Sequence, residues 1–332
     1  MPSGRASARA RRRPGGRDVR RWLTRFARSS GPIIGWLVVS LGWPAVSGGI
    51  AAQTRELRHY EPGAPEAKLM LYYSSTVAFS PIGVPYGAGR ASTLETDRGR
   101  SDPRLEMAVE VSYLPPLSAA QRTTGSDKPE STNLARVFAR PRLAVRLPAG
   151  FGLEASWIPP VRVFDVTANL FAGALSRSFT TAFNVRIVPR VAFLGGRVEG
   201  PITCNRDTAT EGGADLATYY SFVCYGNDSR DFFEPRHVSG ELLVARPFAN
   251  GRFEPYVSAG ARHERTRFDI GVIRGDGSRD SDNPVLEVIT TRAYGMAGAS
   301  WLGVRRTRLA GEVYYAPGSA LTVRALIGLR AW

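Results

Sequence analysis

"LEMAVEVSY", residues 105–113, alternates with a period of two: Leu105, Met107, Val109, Val111 and Tyr113 share one face, and Glu106, Ala108, Glu110 and Ser112 share the other. Successive side chains of a strand point to opposite sides, so this stretch is a strand with one apolar and one polar face. The pattern returns with Leu143, Val145 and Leu147 against Arg142, Ala144 and Arg146. It returns again with Phe183, Val185, Ile187, Val191 and Phe193 against Asn184, Arg186 and Arg190. Near the C-terminus Leu309, Val313 and Tyr315 oppose Arg308, Ala310 and Glu312, and Leu321, Val323, Ala325, Ile327 and Leu329 oppose Thr322, Arg324 and Gly328. A soluble sandwich also alternates, so the connections have to decide. Short ones ("LPAGF", 147–151; "SRSFTT", 176–181; "FANGR", 248–252; "GVRRTR", 303–308) take turns with long ones at 115–138, 200–234 and 271–284. Short turns at one end and long loops at the other mark a membrane barrel.

Strands are expected at about 104–114, 139–148, 151–162, 166–178, 182–199, 236–247, 252–269, 286–302, 307–316 and 320–331. Ten is an even number, which leaves both ends of the barrel on one side, the periplasmic one. The fold class is therefore all-β: an antiparallel up-and-down transmembrane β-barrel of about ten strands over 104–332. Twelve strands is the alternative, if a further strand lies in 81–103. Residues 53–103 form an N-terminal periplasmic or plug segment and linker, in which "KLMLYYSSTVAFS" (68–80) reads as a short helix or plug.

Three strand ends resemble one another: "EVSYLPP" (110–116), "EASWIPP" (154–160) and, more loosely, "EVYYAPG" (312–318). On upward strands these place Tyr113, Trp157 and Tyr315 on the lipid side as an aromatic girdle. Pro115, Pro159 and Pro317 then end the pairing, because proline has no N–H to give to a ladder. Glu110, Glu154 and Glu312 point inward.

The formal charge of +15 suggests a nucleic-acid binder until the charges are located. Residues 1–52 hold ten arginines against Asp18, a balance of +9, which leaves +6 for the rest. Nucleic acid is excluded as a partner on that ground. After Arg28 no charge appears until Arg55, and the gap contains "PIIGWLVVSLGWPAV" and then "SGGIAAQ". A basic region, an apolar run of about 14 residues and a small-residue site describe a signal peptide, 1–52, cleaved after Ala52. The run is short of the ~20 residues of a spanning helix. In an exported chain the two cysteines, Cys204 and Cys224, are expected to form a disulfide that staples the 200–234 loop.

The inward faces carry Glu106, Glu110, Glu154, Glu241, Glu254 and Glu312 with Arg142, Arg146, Arg186, Arg190, Arg308 and Arg324. Two readings follow: an ion-paired core that fills a narrow barrel, or charged rings that select solutes in an open pore. The stapled loop holds Asp207, Glu211, Asp215, Asp228, Asp231 and Glu234 with Tyr219, Tyr220, Phe222, Tyr225, Phe232 and Phe233, so surface binding is the alternative function. An enzyme needs a nucleophile with a positioned base. Of the histidines, His59 lies outside the barrel, His263 sits in "RHER", and His237 at a loop edge near Asp228, Asp231 and Glu234 is the best candidate, but it matches no catalytic signature. Asp276, Asp280 and Asp282 in "RGDGSRDSDN" offer a weak calcium site, without the glutamate that such loops place downstream. No cofactor motif is found.

With its export-type N-terminus, its repeated strand ends and its aromatic last residue, Trp332, the chain resembles the outer-membrane β-barrel proteins of Gram-negative bacteria, porin-like ones in particular. The resemblance covers 104–332 as an architecture. It implies residence in the outer membrane, contact with its lipid and lipopolysaccharide, and insertion by the barrel-assembly machinery through the C-terminal strand. One departure stands out: Trp332 is out of phase with Leu329, Ile327 and Ala325. The expected function is a passive small-solute pore or uptake channel, or a structural barrel with an ion-paired lumen.

Overall fold

The computed structural model describes residues 56–83, 104–117, 137–163, 165–211, 213–249, 252–303, 307–317 and 321–331. The expected signal peptide 1–52, most of the 81–103 stretch, the middle of the 115–138 loop and Trp332 lie outside the described residues. In chain order the elements are β1 (Leu57–His59), α1 (Pro65–Thr76), β2 (Arg104–Tyr113), β3 (Val137–Arg146), β4 (Phe151–Val163), β5 (Val166–Arg177), β6 (Phe179–Thr180) and β7 (Arg186–Gly200). They continue with α2 (Arg206–Glu211), α3 (Gly213–Phe222), β8 (Asp231–Ala245), β9 (Phe253–Asp269), β10 (Val285–Leu302), β11 (Thr307–Tyr315) and β12 (Thr322–Ala331).

Ten of these strands pair antiparallel with their neighbours in the order β2-β3-β4-β5-β7-β8-β9-β10-β11-β12. Pairing of β12 with β2, Val323 opposite Tyr113 and Ala331 opposite Leu105, closes the ring. The twelve-strand alternative therefore fails: the two additional strands are short and stay outside the ring, β1 lying parallel on β10 and β6 on β7.

Period two sets the two faces. Along β8 and β9 buried and exposed residues alternate almost without interruption. The outward positions carry Met107, Val109, Val111, Leu143, Leu153, Leu242, Val257, Leu309, Ile327 and Leu329, all exposed. Tyr113, Trp157 and Tyr315 are exposed beside them. A soluble protein does not show so much contiguous apolar surface; a belt on a closed barrel is what hydrocarbon requires.

The wall is uneven. Strands β7 to β10 run 15 to 18 residues, whereas β2, β3, β11 and β12 run 9 or 10. Above Gly295 the edge of β10 has left β11 behind, and β1 takes part of it, Leu57 opposite Val285. Pairing of β3 with β4 also stops early, at Arg142 opposite Ser156, although β4 continues to Val163. Pro115 and Pro317 fall just past β2 and β11, as expected. Pro159 does not end its strand; it lies inside β4, where the register with β5 shifts between Ile158 and Val161.

Helix α1 has Pro at its start, Glu66 in its first turn and mostly good helix formers up to Tyr73. Its low amphipathicity goes with burial on all sides, and Leu69, Met70, Leu71, Tyr72 and Tyr73 are all buried. Around it β5 and β7 present small and aliphatic residues, Leu170, Ala172, Ala174, Ala192, Leu194 and Val198, with Phe233, Phe268 and Leu286 opposite. The core of this protein is thus the filled upper lumen.

Candidate functional site

Two kinds of lumen meet at the end of α1. Above lies the apolar cluster just described; below lie charges. The repeat carboxylates are joined through two arginines: Arg142 bonds both Glu110, at 3.2 Å, and Glu154. Arg324 bonds Glu312 and lies 3.9 Å from Glu110, and Tyr256 donates to Glu312 at 2.8 Å. Arg190 pairs with Glu241 at 2.6 Å, Arg186 with Glu254 at 2.6 Å and Arg308 with Glu106 at 2.9 Å. Arg146 is only half-buried. An arginine fork that serves two carboxylates meets the need of buried charges for partners.

Residues 77–83 run down through this network, and the same arginines hold the chain by its main-chain oxygens. Arg140 donates to the oxygens of Val77 and Ala78, at 3.2 and 3.3 Å, and Arg324 to that of Ser80 at 3.0 Å. Arg190 donates to Pro81 and Gly83, at 2.5 and 2.6 Å, and Arg308 to Ile82 at 2.9 Å. Ser80 adds a bond to Glu241 at 2.8 Å. With α1 above and this segment below, residues 65–83 occupy the lumen as a plug.

His237 is neither at a loop edge nor solvated. It lies inside β8, buried, with Nε2 2.6 Å from the Ser74 hydroxyl of the plug, which also donates to Glu264 at 2.5 Å. Glu264 in turn holds Arg262 and Arg292. A serine, a histidine and a carboxylate meet here, but all three are buried, and the hydroxyl binds the carboxylate as well as the ring. The arrangement ties plug to wall and gives a substrate no approach. Sequence reasoning missed Arg140, Arg262 and Glu264 in the lumen. The signal was present: Arg140 shares the face of Arg142, and Arg262 and Glu264 share that of Glu254.

The 200–234 stretch is less of a loop than expected. It contains α2 and α3, and β8 starts at Asp231, so Phe232, Phe233 and Glu234 belong to the wall. The Cys204–Cys224 disulfide is formed. Asp228 accepts from the Arg206 N–H at 2.8 Å and from the Tyr220 hydroxyl at 3.1 Å. Asp231 is buried and accepts the N–H groups of Ile202, Thr203 and Gly271. Phe233 packs against Tyr73 of the plug, while Arg197 and Arg279 lie over Phe232. Phe222 is 78 % exposed. The proposed calcium carboxylates have other partners. Asp280 and Asp282 pair with Arg274, and Asp276 takes the N–H and hydroxyl of Ser278, which hold its carboxyl below the usual range. Among the described residues no group of three or more His, Cys, Asp or Glu is placed to hold a metal ion.

At the mouth framed by the long connections, a cavity of about 240 Å³ opens between α1 and the stapled segment. Leu69, Met70 and Tyr73 form its floor, Ile202, Tyr219, Phe268 and Leu286 its sides, with Arg58 and Glu66 among its lining.

No family model matches the chain, and no curated protein matches it. Solved barrels resemble it in outline. The Ralstonia pickettii toluene transporter TbuX shares 7 % identity over 69 % of this chain and 88 % of its own, with a TM-score of 0.29. Ail, the attachment invasion locus protein of Yersinia pestis, in complex with sucrose octasulfate, shares 10 % over 69 % and 97 %, with a TM-score of 0.25. The KdgM porin in complex with oligogalacturonate shares 10 % over 69 % and 98 %, with a TM-score of 0.24. Likenesses of this size carry no argument about solute or site.

Proposed function

We propose that the protein is an outer-membrane barrel of a Gram-negative bacterium that passes small solutes, with residues 65–83 as a removable plug. The carrying observation is that the wall keeps its own charge balance. Each arginine that holds the plug already has a carboxylate on the wall: Arg140 has Glu110, Arg190 has Glu241, Arg308 has Glu106 and Arg324 has Glu312. Releasing the lower plug breaks hydrogen bonds to main-chain oxygens and the one from Ser80 to Glu241, and leaves no buried charge unpaired. Each such bond to a charged donor is worth about 1.5–3 kcal/mol net and is replaceable by water. A segment that completed the ion network with charges of its own could not leave so easily. The export-type N-terminus and the apolar belt support the location.

Single-channel recording of the refolded full chain in a planar bilayer tests this. The expected record is quiet at neutral pH, with conductance steps appearing in moderate urea, where the plug releases before the barrel, and vanishing on washout. A steady open conductance without urea overturns the plug. Silence throughout, with the barrel still folded by its shift on unheated gels, overturns transport and leaves a structural barrel.

A further inference from the structure

We infer that the solute is apolar, and that it moves between the outer mouth and the outer leaflet of the membrane through a seam in the wall between β3 and β4, without crossing the charged lower lumen. The inference rests on the uptake reading above, but not on release of the lower plug, and adds a solute class and a route. Its first support is the broken ladder. Pairing ends at Arg142 opposite Ser156; in the same register Ala139 would come to face Pro159 and Pro141 would face Trp157. Proline has no N–H, so two donors that could have zipped the strands are missing, one on each edge. The Ser156 hydroxyl donates to the Pro141 oxygen at 2.9 Å and so satisfies the carbonyl where the ladder stops. An open edge in hydrocarbon is costly unless it lines a cavity.

The second support is that cavity. A space of about 340 Å³ runs from the plug to the outer face through this seam, within the size range of small-molecule sites. Its depth is set by Val77, Leu114 and Val198, all at most 4 % exposed, and its rim by Val137 and Val161, 55 and 60 % exposed. Among the described residues no charged side chain lines it, and the one hydroxyl there, that of Thr76, already donates to the Tyr73 oxygen at 2.6 Å. A polar ligand would lose its water and gain nothing here, whereas a hydrocarbon would lose nothing. Depth follows from the register: Val137 lies opposite the girdle residue Tyr113, and Pro141 opposite Val109 in the belt. The seam therefore spans the outer half of the bilayer.

The third support is continuity along α1. Leu69, Met70 and Tyr73 floor the mouth cavity, and Thr76, one helical turn on, lines the seam cavity with Val77. A shift of that one turn would join the two spaces, both on the apolar side of the plug.

The test uses cells carrying the full chain in their outer membrane and two probes: N-phenyl-1-naphthylamine, an uncharged dye that brightens in hydrocarbon, and nitrocefin, a polar substrate of a periplasmic β-lactamase. Ala168→Trp fills the seam cavity, and Leu153→Trp, on the lipid face elsewhere, is the control. The expected result is faster dye uptake than in cells without the barrel, abolished by Ala168→Trp and kept by Leu153→Trp. Should Ala168→Trp fail to assemble, Ala139→Phe at the seam edge replaces it. Acceleration of neither probe sinks the uptake reading itself. Acceleration of nitrocefin alone overturns the apolar, sideways route and leaves uptake standing. Dye uptake untouched by the filled cavity also overturns it.

Discussion

At the scale of single residues, the lumen shows what buried charge demands. Among the described residues Arg142 alone forms a salt bridge with Glu154, while Glu110 also has Arg140 and Arg324. Arg142→Met should therefore strand Glu154 in a buried site and cost about 3–5 kcal/mol, read as a lower urea midpoint of the folded barrel. Adding Glu154→Gln should restore most of it, because the uncompensated carboxylate is then gone; no recovery in the double variant would mean that packing, not charge, set the loss. The inward residues were legible by parity alone, since one inward residue fixes its whole strand. Arg140 and Glu264 obeyed the same parity and needed only that it be carried further along β3 and β9. The bond from Ser74 to His237 was not legible, because nothing local ties residues 163 positions apart.

At the scale of elements, strands were readable almost to their ends, while of the helices only α1 was expected, as a short helix or plug, and α2 and α3 were not. Each ring strand exposes one face to lipid, so its period is imposed by the solvent. The start of β8 was hidden by Pro235, which reads as a breaker and here sits inside the strand on the inward face. "KLMLYYSSTVAFS" runs its apolar residues together and its hydroxyl residues together, so no period separates helix from strand, and only the even strand count favoured a plug. Helices α2 and α3 sit between two cysteines in a polar stretch, where a turn-rich composition masks helix. There the disulfide acts on a closed span of 20 residues and is worth up to about 3 kcal/mol in the chain-entropy model. Cys204→Ser should expose residues 206–222 to protease while the ring still shifts on unheated gels. Failure of the ring to assemble would show that the staple supports the wall rather than the loop.

At the scale of the whole molecule, the belt decides what solvent the protein tolerates. The outward valines, leucines and rings should keep the folded chain in detergent or lipid. Removing detergent should precipitate it, as analytical ultracentrifugation would show; a stable monomer in plain buffer would end the membrane reading. The uneven wall has a further effect: strands β7 to β10 stand above the girdle, and the cavity at the mouth leans on them. Residues 57–59 lie at that mouth and Gly83 lies beside Arg308 and Tyr256 at the other end. The chain thus passes through its own ring like a thread through a bead, and the clasp of that ring is the pairing of β2 with β12. A thread tied to its bead by the chain that continues into β2 stays within reach of the opening after release, and that tether is what should let washout restore the closed state.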